Sequence, residues 1–106
     1  MLYQGADVKF VDIDEKTLNM NPNLIEQKIT ERTKAIIPVD FRGHPANLPE
    51  IKKIADNYNL KVIEDAAHAA GSRYKNKKIG LHSNAICFSF HPVKNLAMPT
   101  GGLISL

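Results

Sequence analysis

The segment Val8 to Ile13 (VKFVDI) alternates apolar and polar positions and is rich in β-branched and aromatic side chains. That pattern predicts a half-buried strand. Asn21-Pro22 then predicts a helix start: Asn can accept a backbone N–H at the cap, and Pro suits the first helical position. Ile25 and Ile29 stand four apart and fall on one face of that helix. Ala35 to Val39 (AIIPV) is a nearly continuous apolar run, as expected of a strand covered on both faces. Phe41 to Ala46 reads as a loop containing Gly43 and Pro45. Asn47-Leu48-Pro49-Glu50 predicts an Asn-capped helix, continued by Ile51, Ile54, Ala55 and Tyr58 at helical spacing. Further strands are predicted over Leu60 to Ile63, over Ala85 to Phe90 and after Gly101-Gly102. Arg73 to Ile79 reads as a surface hairpin turning near Asn76.

Strand and helix alternate, which predicts an α/β fold: a three-layer α/β/α arrangement around a mainly parallel sheet. Strand–helix–strand units of this length pair in parallel through right-handed crossovers. In such sheets ligands sit beyond the carboxyl ends of the strands. Three places are singled out: the loop after Val39, the Glu64–Ser72 segment and the His91–Gly102 segment.

Composition narrows the class. The 106 residues suffice for one small domain. Hydrophobic residues make up 43% and charged residues 24%, ordinary for a globular protein and against disorder. The net charge of +3 is mild, and Lys75, Lys77 and Lys78 read as a solvated turn. With three Tyr, four Phe and no Trp, no basic patch interleaved with aromatics suggests a nucleic-acid partner. No apolar run is long enough to span a membrane. The single Cys87, in the run Ala85–Phe88, reads as a buried thiol, and one free thiol without a leader points to the cytoplasm. Met1–Gly5 does not read as a domain start, and Leu103–Leu106 reads as mid-strand. The expectation is a single partial domain over residues 1–106 of a longer protein.

Candidate chemistry lies in two segments. In Glu64–Ser72 (EDAAHAAGS), Asp65 follows an apolar strand directly, and small residues let a large group approach the backbone. Taken alone, Asp65 could equally cap a short helix. In Ser89–Asn95 (SFHPVKN), Lys94 stands four residues past Phe90, in a stretch that Pro92 keeps irregular. Taken alone, Lys94 could be a surface lysine. Together they suit pyridoxal phosphate (PLP), which needs a lysine for its aldehyde and a carboxylate for its ring nitrogen. The four histidines and one cysteine lack the close spacing of a zinc site. No G-x-G-x-x-G follows a strand, which argues against a nicotinamide-binding domain.

The order of five motifs resembles the DegT/StrS-type sugar aminotransferases, members of the fold-type-I PLP enzymes. The motifs are Phe10–Asp14, Thr30–Val39, Glu64–Ser72, Phe88–Asn95 and Gly101-Gly102. The resemblance implies the central part of a large domain, without the phosphate-gripping amino-terminal segment or the small carboxy-terminal domain. It implies that Asp65 faces the pyridinium nitrogen, His68 lies near the ring hydroxyl oxygen, Ser89 binds the phosphate and Lys94 is the Schiff-base lysine. It further implies a nucleotide-linked keto-sugar substrate, a glutamate donor and a homodimer. Ala97–Thr100, Asp40 and Asn84 depart from the family's usual residues. A dehydratase on the same scaffold carries histidine at the lysine position, and a non-catalytic remnant would bind no cofactor.

Overall fold

The computed structural model describes residues 2–106, so Met1 lies outside the described residues. Among the described residues, six strands and one α-helix follow in chain order. They are β1 (Ala35–Ile36), α1 (Leu48–Asn57), β2 (Lys61–Asp65), β3 (Arg73–Tyr74), β4 (Lys77–Lys78), β5 (Ala85–Ser89) and β6 (Gly102–Ser105). The main sheet has the order β1-β2-β5-β6. β1, β2 and β5 run parallel, and β6 runs antiparallel to β5. The fold is α/β with a mainly parallel sheet, as the alternation predicts.

α1 forms where Leu48, Ile51, Ile54 and Ala55 recur on one face, and all four are buried. They pack with Ile25, Ile36, Ala46, Leu60 and Val62 into the larger core. Each fully buried aliphatic side chain contributes about 1.5–3 kcal/mol. Asn47 precedes the helix but does not cap it: its side-chain oxygen instead accepts from the Tyr74 hydroxyl at 3.3 Å. A smaller core of Ala66, Ala69, Ile79 and Ile86, with Phe88 against it, lies under the β2–β5 connection.

Two predicted elements take other forms. Val8–Ile13 is not a strand; only Ile13 bridges, antiparallel, to Met20. Its alternation suits a sheet, yet it pairs with none of the named strands, and Phe10 remains 85% exposed. The segment after Asn21 forms two 3-10 turns, Pro22–Leu24 and Glu26–Lys28, rather than an α-helix. Asn21 does cap the first, accepting from the Asn23 N–H. The backbone turns extended at Ile29, which leaves too few residues to repay α-helix nucleation.

The Ala35–Val39 run also pairs over a shorter stretch than its apolarity suggests. Pro38 lacks an N–H, but its carbonyl accepts from Asp65, and Val39 bridges Asp65 in parallel. The predicted hairpin forms: β3 and β4 pair around Lys75 and Asn76, whose φ values of 45° and 66° suit a tight hairpin turn. Lys75, Lys77 and Lys78 are exposed there.

Candidate functional site

Side chains alternate across a strand, so the register assigns faces. Ile36↔Val62 and Val39↔Asp65 on one side, with Asp65↔Cys87 on the other, put Asp65, Cys87 and Ser89 on one face. The opposite face, toward α1, carries Pro38, Asp40, Val62, Glu64, Ala66 and Ile86, all buried. Asp65 and Ser89 therefore share the sheet face away from α1. Both stand at the carboxyl ends of parallel strands and both are half-buried. Cys87 lies between them and is half-buried, not buried as its apolar neighbours suggest.

Beyond Asp65 the chain turns without forming a helix. Asp65 Oδ1 accepts from the Ala67 N–H at 3.0 Å, which orients the carboxylate and leaves its second oxygen for another donor. Asp65 therefore makes a local turn rather than a helix cap. The small residues of Glu64–Ser72 let neighbouring backbone come close. A Cβ at Gly43 would stand 3.0 Å from the His68 carbonyl, and Gly43 has φ +81°. The Ser72 hydroxyl donates to the Gly43 carbonyl at 2.9 Å, which fixes that contact. The His68 side chain is exposed.

The loop carrying Lys94 is closed at its base. The Phe90 N–H donates to the Gly101 carbonyl at 2.9 Å, and the Met98 N–H to the Phe90 carbonyl at 2.8 Å. Inside it the Lys94 N–H donates to the His91 carbonyl at 2.8 Å. Lys94 is half-buried while its neighbours Val93 and Asn95 are exposed. The Asn95 side-chain amide donates to the Ala70 carbonyl at 2.6 Å. One hydrogen bond thus ties the lysine loop to the segment that begins with Asp65. Ser89 Oγ accepts from the His91 N–H at 3.4 Å, at the mouth of the same loop.

This geometry suits a flat, anionic, aromatic cofactor such as PLP. One carboxylate and one hydroxyl come from neighbouring strand ends on the face away from α1, the loop that carries Lys94 follows directly, and small residues line the backbone beside them. The family's sequence profile matches residues 1–106. The chain belongs to the DegT/DnrJ/EryC1/StrS aminotransferase family. The uncharacterized protein MJ1066 of Methanocaldococcus jannaschii is 52% identical over 105 residues, covering 99% of this chain and 27% of that protein. Helicobacter pylori PseC, an aminotransferase involved in pseudoaminic acid biosynthesis, superposes with a TM-score of 0.93 at 35% identity. The match covers 97% of this chain and 28% of PseC. Bacillus subtilis NtdA, solved with bound PMP, gives a TM-score of 0.83 at 34% identity over 91% of this chain and 21% of its own. The chain thus spans about a quarter of the length of these DegT-family relatives.

Three polar contributions escape the sequence pattern. Asn84 closes the start of the β2–β5 pairing: Oδ1 accepts from the Val62 N–H and its own N–H donates to the Val62 carbonyl, both at 2.8 Å. An Asn one residue before a strand was the available signal. Asn95 acts as the tether described above, signalled only by its place beside Lys94. Asp40 and Glu64 are both fully buried, on the helix side of the sheet. Burial pushes the Asp40 carboxyl up from 3.8 to about 7; the Ala46 N–H opposes this, and neighbouring Glu64 and Asp65 add to it. The signal for that pair was a charged residue directly after each apolar run, Ala35–Val39 and Leu60–Ile63.

Proposed function

We propose that this chain is the cofactor-holding part of a PLP-dependent sugar aminotransferase. The substrate is a nucleotide-linked keto-sugar and the amino donor is glutamate. When bound, PLP supplies an electron sink that lets an amino group pass between donor and acceptor. Lys94 holds the cofactor aldehyde and then moves a proton at the substrate α-carbon. Asp65 keeps the ring nitrogen protonated, Ser89 binds the phosphate and His68 lies beside the ring hydroxyl oxygen. The observation that carries the reading is the shared face of Asp65 and Ser89, with the Lys94 loop tied to the Asp65 segment through Asn95 and Ala70. Lysine rather than histidine at position 94 favours transamination over dehydration on the same scaffold.

Residues 1–106 form one part of a large domain in a longer, homodimeric, cytoplasmic protein. The quarter-length coverage of its relatives supports the longer protein, and family membership with the PMP held by NtdA supports the cofactor reading. No helix of the described residues is long and apolar enough to cross a membrane. The test is borohydride reduction of the full-length protein with PLP, followed by peptide mapping. Label on Lys94 is expected. Label on any other lysine, or none, overturns the proposal.

A further inference from the structure

We infer that Asp40 and Glu64 share one proton between Asp40 Oδ2 and Glu64 Oε1, and that this pair is a positioning device for Asp65. The first part stands on burial and hydrogen bonding. Both residues have 0% exposure. Asp40 Oδ1 accepts from the Ala46 N–H at 2.9 Å, and Glu64 Oε2 accepts from the Ser83 hydroxyl at 2.8 Å. The two remaining oxygens, Asp40 Oδ2 and Glu64 Oε1, are buried with no partner. The register makes the two residues diagonal neighbours on the α1 side of the sheet, and the Glu64 carboxylate is among the groups that raise the Asp40 carboxyl. Two ionised carboxylates offer only acceptors to each other. One proton between them converts the clash into a hydrogen bond and removes one buried charge.

The second part stands on how the pair is wired to Asp65. The Asp40 N–H donates to the Asp65 carbonyl and the Asp65 N–H to the Pro38 carbonyl, both at 2.9 Å. Glu64 directly precedes Asp65. The pair therefore clamps the stretch that follows β1 to the end of β2, with Ser83 holding the approach to β5. The Asp65 carboxylate projects from the other face, so whatever moves this clamp moves Asp65. Among the other charges, Arg42 and His44 of the same turn and Glu50 and Lys53 of α1 are exposed, and the half-buried Lys52 of α1 pairs with Asp56. Asp65 is the remaining charged neighbour of Asp40. Raising the pH removes the shared proton, and repulsion then loosens the β1–β2 junction under Asp65. The role assigned to Asp65 rests on the aminotransferase reading; the proton sharing does not.

Two measurements on the full-length protein, both without cofactor, test this. Infrared difference spectra should show a protonated carboxyl in the wild type at about pH 6 that is lost by about pH 9, and that is absent from Asp40→Asn. Amide exchange at Asp40 and Asp65, corrected for intrinsic rates, should rise roughly tenfold or more over the same range in the wild type. In Asp40→Asn it should stay nearly flat, because the amide donates to Glu64 at every pH. Glu64→Gln should behave the same way, donating to Asp40 Oδ2 while still accepting from Ser83. A protonated-carboxyl band that survives Asp40→Asn overturns the shared proton. Equal exchange profiles in wild type and both amide variants overturn the positioning role. Mapping of the borohydride label away from Lys94 would sink the aminotransferase reading alone and leave these two results standing.

Discussion

Asp40 allows a pH dependence of stability to be worked through with its sign. In the unfolded chain its carboxyl titrates near 3.8; in the fold, burial raises it to about 7. Between those values the native state holds a proton that the unfolded state has released, so stability falls as pH rises. The contribution is fully present below 3.8 and is lost as pH climbs through about 7. At about 1.4 kcal/mol per pH unit, the full gap corresponds to at most about 4 kcal/mol. From about pH 5 to about pH 8 the expected loss is about 2–3 kcal/mol, less whatever the turn around Asp40 relieves by moving. Asp40→Asn keeps the shape and the acceptor for the Ala46 N–H, and replaces the orphaned oxygen with a donor to Glu64. Urea unfolding of wild type and variant at both pH values reads the difference between them. The variant should lose far less stability than the wild type over this interval, and should be the more stable at the higher pH. Parallel stability–pH curves for the two proteins, or a variant less stable than wild type at about pH 8, would refute the reasoning.

Other outcomes are equally open to measurement. Asp65→Asn should keep the fold, since the Asn oxygen can still accept from the Ala67 N–H, while steady-state turnover of the full-length enzyme falls by most of its value; unchanged turnover would remove the pyridinium role. Ile51→Ala, at a position with 0% exposure in the larger core, should cost about 2–5 kcal/mol in denaturant unfolding, and a loss under about 1 kcal/mol would mean the α1 face is not packed as described. Asn95→Ala removes the bond to the Ala70 carbonyl. It should speed amide exchange across residues 93–98 and slow borohydride trapping at Lys94, with little change in global stability.

The family resemblance was legible because its five motifs are strings of residue types in a fixed order, and they span nearly the whole chain. Much of the fold was legible for a related reason. The short apolar runs that become β2 and β5, and helical spacing over Leu48–Asn57, are local signals that burial imposes on the sequence itself. A local signal misled at Val8–Ile13, where alternation is present but the segment pairs with none of the named strands. It misled again at Asn47, whose side chain answers to Tyr74, twenty-seven residues away, and not to its own helix.

Pairing partners, faces and register belong to the tertiary structure, because a hydrogen bond between strands depends on two distant segments at once. The antiparallel course of β6 came from the closed loop that precedes it, together with Gly102, where any Cβ would stand 2.9 Å from the Phe88 carbonyl. The residue pattern alone identified Asp65 and Lys94 as reactive types near strand ends, and the family resemblance added Ser89. Only the register could put Asp65 and Ser89 on one face and turn Asp40 and Glu64 toward the other. Side-chain direction reverses at every residue along a strand, so a role is settled by which neighbour the strand meets, and in what phase.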